Sequence, residues 1–171
     1  MTVSKKITLG GILSATVLIL LYLASTLPTS RLFLLALCSF AVSAVIIETG
    51  VKNGIIFYLA TSILAFLLVP AKSMAALYIL FFGIYGIAKA IIEKHGIGIL
   101  QYIIKLVIFN LSFLMIYLAS GIIIDISALE LKVPFPAWVI VAGLQFAFLF
   151  YDYVFTIVIT YYYDHIHHDR R

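Results

Sequence analysis

Tyr85, Lys89 and Glu93 recur at i, i+4 and i+8 in the segment LYILFFGIYGIAKAIIEKH, which places them on one slowly drifting helical stripe. After a His95-Gly96 break, Gln101 and Lys105 repeat the i, i+4 spacing, and Asn110 lies deeper in the next apolar run. Further on, Gln145, Asp152, Thr156 and Tyr163 stand 7, 4 and 7 residues apart, so one helical face carries all four. Side chains of these types bind small polar molecules, pair with each other or relay protons. A charge inside a bilayer costs roughly 3 kcal/mol or more, so each is a functional candidate by default.

Asp152 is the most informative of them, because FLFYDYVFT holds no opposite charge nearby. It sits eight residues before Thr160, about 12 Å inside a helix end at the α-helical rise. Lys105 has a comparable depth on the same side if the two helices are antiparallel. An Asp152–Lys105 pair is therefore geometrically possible, with Lys89 the second choice. The pair would be structural or functional, since a buried charge needs a partner in either case. Alternatively Lys105 snorkels, its stem carrying the ammonium to the interface, which is the favoured reading for that residue. Asp152, Gln145, Thr156, Lys105, Asn110, Lys89, Glu93 and Tyr85 together make the candidate polar cavity or substrate pathway.

The elements that position these residues follow from composition. Of 171 residues 65% are hydrophobic and 11% charged, more apolar surface than a soluble core hides. Six runs, at about 7–27, 32–47, 55–69, 74–92, 97–124 and 137–163, have the apolar character of membrane spans, several near the ~20 residues that a ~30 Å hydrocarbon core requires. The expected fold is an all-α polytopic membrane protein, one six-helix transmembrane domain over residues 1–171. The first run is too long for the apolar part of a signal peptide. Pro28 and Pro70 close spans, and Asp125–Pro136 is the longest polar connection. Thr61-Ser62 is expected to bond back to its own helix. Trp138 and the Tyr161–Tyr163 run read as interfacial anchors.

Lys5, Lys6, Lys52, Lys89, Lys94, Arg170 and Arg171 fall on one side of such a bundle, against Arg31, Lys72 and Lys132 on the other. The positive-inside rule then puts both termini in the cytoplasm of a multi-pass cell-membrane protein. The net charge of +4 is a topology signal and a contact for anionic lipid, with no basic patch for nucleic acid. The single cysteine, Cys38, lies mid-span and forms no intrachain disulfide. Asp164 and His168 offer two metal ligands at i, i+4, but no second cluster completes a site, so neither metal nor other cofactor is expected. There is no Walker-type loop, HExxH motif or recognisable Ser-His-Asp set, and an enzyme is not expected.

In the first span Gly10-x-x-x-Ser14 and Gly11-x-x-x-Ala15 repeat small residues one turn apart, which permits close approach of another helix, inside the bundle or from a separate subunit. The opening KKITLGGILSA, followed by six short spans, resembles the S components of energy-coupling factor (ECF) transporters. The segments ILFFGIYGIAKAIIEKH and KLVIFN are similar to clostridial-type membrane proteins related to them. The resemblance implies a small-molecule-binding membrane subunit that docks through small residues on its first helix, here Gly11 and Ala15, onto a transmembrane coupling subunit energised by ATPases. It carries no ligand-binding residues to this chain. A unit this small has little room for two pseudo-symmetric halves, the usual design of a self-sufficient carrier. Two other readings remain open: a homodimeric, ion-coupled small-molecule exporter protonated at Asp152, and a non-transporting membrane scaffold.

Overall fold

Apolar segments of this length leave the backbone no water to bond, so each must close its hydrogen bonds within a helix. The computed structural model describes residues 3–27, 29–94, 98–123 and 137–168, and among these there is no strand. The helices are α1 (Val3–Thr26), α2 (Arg31–Thr49), α3 (Val51–Leu68), α4 (Lys72–Lys94), α5 (Gly98–Ile123) and α6 (Ala137–His168). Six helices are long and apolar enough to cross a membrane, the architecture of a multi-pass membrane protein. The Pro28 turn, the His95-Gly96 break, the Asp125–Pro136 connection with Lys132, and Arg170 and Arg171 lie outside the described residues, as do the side chains of the histidine tail.

The chain divides into two compact units, Met1–Ile124 and Asp125–Arg171. In the first, α2 is the central helix: it packs against α1, α3 and α4, and half of its span is buried. The α5 helix lies along α4. Polar side chains turn inward, with Ser39, Ser43, Thr61, Lys89 and Lys105 all buried, while Ile56, Ile63, Leu67, Ile99 and Leu111 are exposed. This inversion suits a hydrocarbon solvent and would be costly in water. The second unit is described through α6, whose buried side chains Phe148, Asp152 and Phe155 are spaced i, i+4, i+7.

Two connections show how short sequences reverse the chain. Only Gly50 separates α2 from α3, with φ 93° and ψ 163°, a backbone region essentially confined to glycine. Asn53 Nδ2 donates to the Thr49 carbonyl at 2.8 Å, satisfying a helix-end acceptor across the turn. At the other end of α3, where Pro70 forbids continuation, Lys72 Nζ donates to the Phe66 carbonyl at 2.6 Å and the Val69 carbonyl at 3.2 Å. A cation on the last carbonyls also complements the negative end of the helix dipole.

The α4 helix widens into a π turn at Tyr78–Phe82, where Gly83 N–H donates to the carbonyl of Tyr78. The Tyr58 hydroxyl donates to the Ile79 carbonyl at 2.7 Å, within this turn. Its ring fills the place that a Cβ on Gly83 would take, with ring carbons 2.6 and 2.7 Å from that point. Thr61 Oγ1 bonds back to the Phe57 carbonyl at 2.8 Å, as read from the sequence, and also meets the Tyr78 hydroxyl at 2.7 Å, whereas Ser62 Oγ, read the same way, makes no bond to its helix backbone. Since the threonine proton is directed to its own helix, the tyrosine is the donor to Thr61.

Candidate functional site

Past the π turn, α4 presents Tyr85, Gly86 and Lys89 to the interior and Ile84 and Ile91 to the outside. The stripe anticipated from spacing thus forms, with Tyr85 and Lys89 buried and Glu93 partly exposed at its end, while the apolar residues are better placed in lipid. Tyr85 is fully buried, its ring 5.5 Å from that of Phe81, which in turn meets Phe109 of α5 edge-on at 5.6 Å. Those aromatic contacts hold α4 and α5 together beside the charged groups.

One turn on from this aromatic layer, Lys89 Nζ lies 2.7 Å from Glu93 Oε1, and Lys105 Nζ from α5 lies 2.8 Å from the same oxygen. The lysine side chains are 3% and 5% exposed and that of Glu93 34%. Two buried ammonium groups from successive helices therefore converge on one carboxylate oxygen that reaches toward the edge of the bundle. Along their helices Lys89 is about 8 Å from the end at Lys94, and Lys105 about 10 Å from the start at Gly98. Such a cluster can hold an anionic or hydrogen-bonding group of a small molecule, or pass a proton between its members.

Compared with protein-family models, curated proteins and solved structures, the chain matches none.

Lys105, read from the sequence as snorkelling, is buried with its ammonium 2.8 Å from Glu93 Oε1, one residue before the end of α4. One expectation from the sequence needs correction here. Asn110 is exposed, and its amide donates to the Leu106 carbonyl one turn back at 2.8 Å. A bond back to the carbonyl one turn earlier is an ordinary use of a polar side chain within a helix. The sequence reading also gave Glu93 no lysine partner, although the i, i+4 spacing from Lys89 was a signal for one. The Tyr58–Ile79 and Tyr78–Thr61 bonds were missed as well. Their signal was the aromatic run YILFFG ending at a glycine.

On α6, Asp152 is 5% exposed, whereas Phe146, Phe150 and Tyr153 are largely exposed. Thr156 Oγ1 donates to the Asp152 carbonyl at 2.8 Å, so its hydroxyl proton is used by its own helix. Gln145 and Thr156 are half-buried and share the Asp152 face, but Tyr163, expected on the same stripe, is exposed. The inward face of α6 is therefore shorter than the spacing alone implied. We expect Asp152→Asn to lower stability by about 2 kcal/mol, because a carboxylate this buried keeps its charge only through hydrogen bonds that an amide does not fully replace. Unfolding titration of the purified protein measures this, and an unchanged midpoint would exclude a polar anchoring role for the carboxylate.

On α1, Gly11 and Ala15 are exposed, and a Cβ placed on Gly11 would meet nothing within 4 Å. Among the described residues no helix uses this close-approach surface.

Proposed function

We propose that the chain is the small-molecule-binding membrane subunit of an ATP-driven uptake transporter of the ECF type, resident in the cell membrane with both termini cytoplasmic. The observation that carries the reading is the Lys89–Glu93–Lys105 cluster, two buried cations on one carboxylate within membrane-spanning helices. A membrane protein with only a scaffolding role has no reason to keep such groups where apolar ones cost less. The cluster supplies polar contacts for a ligand, and an ATPase module with a transmembrane coupling subunit supplies the energy. The open Gly11/Ala15 surface on α1 supports the coupling subunit's docking there, since small residues let two backbones approach closely in lipid.

Tagged chain, extracted in mild detergent from its native membrane, should co-purify with an ATPase and a second integral membrane protein. Gly11→Leu should reduce that recovery at least tenfold while the thermal midpoint stays unchanged, because the added side chain enters open space. Recovery of neither protein with the wild-type chain would sink the proposal. Loss of fold in Gly11→Leu would remove the docking face.

A further inference from the structure

A groove of about 490 Å³ opens between the N-terminal half of α1, the end of α2 and the start of α3. Lys6 and Asn53 line its outer end, Val45 and Phe57 its buried wall with the exposed Ile56 at the rim beside them, and Gly10 and Ser14 its α1 side. From the level of Lys6 to that of Ser14, the last α1 residue in its lining, it runs about 12 Å along the helix. The Gly11/Ala15 surface is a separate face, about 100° around α1 from this one.

Three observations define an occupant. First, Lys6 is half-buried, and no hydrogen bond or ion pair of its ammonium is found among the described residues. Glu48, the acid on the last turn of α2, is not among the residues that line the groove. Second, the donors of Thr49 and Asn53 at this end are already directed to backbone carbonyls, leaving Lys6 as the available charged donor. Third, the buried wall is apolar, and the open position at Gly10, with nothing within 4 Å of an added Cβ, leaves space beside it. A bare anion would waste the apolar wall. A spanning helix, about 30 Å long, would overrun a groove of this length.

We propose that the groove binds an anionic phospholipid, its phosphate on Lys6 and the upper part of an acyl chain against Val45, Ile56 and Phe57. Polar mouth and apolar depth lie in the order that a lipid at a membrane surface presents them. The exposed Lys5 and Lys52 add positive potential at the rim.

Native mass spectrometry of the purified full chain, titrated with phosphatidylglycerol or with phosphatidylcholine of the same acyl chains, tests this. Phosphatidylglycerol should be retained about fivefold better, the effect of one lysine near an anionic headgroup. Lys6→Gln should abolish that preference, and Gly10→Leu, which fills the groove, should cut retention of phosphatidylglycerol at least fivefold. Both variants should keep the wild-type helical content and thermal midpoint, because neither removes a protein contact. An undiminished preference for phosphatidylglycerol in Lys6→Gln, or undiminished retention in Gly10→Leu, overturns the proposal. Displacement of the lipid by an equal concentration of glycerol phosphate also overturns it, since the headgroup alone would then be the ligand.

Discussion

Glu93→Gln lowers the unfolding free energy of the purified protein by about 3 kcal/mol, the lower end of what breaking a buried ion pair costs. The substitution preserves shape and leaves one amide oxygen where a carboxylate had accepted both Lys89 and Lys105, at 2.7 and 2.8 Å. It removes the negative charge between two ammonium groups that are almost fully buried, so they repel at close range in a medium of low dielectric. Glu93 itself is a third exposed, which is why the upper end of the range is not expected. Denaturant titration in detergent, followed by circular dichroism, measures the effect. A loss below about 1 kcal/mol would make this an ordinary surface pair. The triple variant Lys89→Met, Glu93→Leu, Lys105→Met should be near neutral for stability, because well-packed apolar residues replace a buried ionic set at little cost. The same triple variant should lose ligand-dependent activity altogether under the proposed function. Retained activity would show the cluster to be structural only.

Gly86→Leu should also damage the fold. A Cβ at this position would stand 2.8 Å from Ser43 Oγ, 3.1 Å from the Ser39 carbonyl oxygen and 3.6 Å from Val42 Cβ. All three belong to α2, so Gly86 is where α4 crosses the central helix with backbones nearly touching. A carbonyl oxygen cannot rotate away as a side chain can, and the helices must separate. Overpacking of this kind costs about 1–3 kcal/mol and sometimes more, and here it falls on the helix that α1, α3 and α4 share. Gly86→Leu should therefore shift the thermal midpoint downward by several degrees or prevent recovery of folded protein. Gly11→Leu, with open space at the substituted position, is the matched control. Equal stability of the two variants would mean that α2 and α4 do not meet at this point.

Hydropathy and length by themselves determined that the chain is helical, with six helices among the described residues long and apolar enough to cross a membrane, because a bilayer admits only structures that bond their own backbone. Period 3.6 also sufficed to place Tyr85 and Lys89 on one inward stripe, a relation internal to a single helix. What depended on two helices was decided only by tertiary structure. Glu93 receives Lys105 because α4 and α5 pack in one particular register, and twelve residues of separation across a break do not specify that register. The fate of Asn110 followed from the same rotation, which turns its position on α5 outward. The phenol of Tyr58 on α3 bonds the Ile79 carbonyl within the π turn of α4, a contact between two helices that spacing within α4 does not specify. The small residues of α1 divided in the same way. Their presence was plain in the sequence, but only the packing of α1 on α2 and α3 decided that Gly10 borders a groove and Gly11 faces outward. Sequence periodicity assigns a residue to a face of its helix, and the rotation of that helix against its neighbours decides what the face meets.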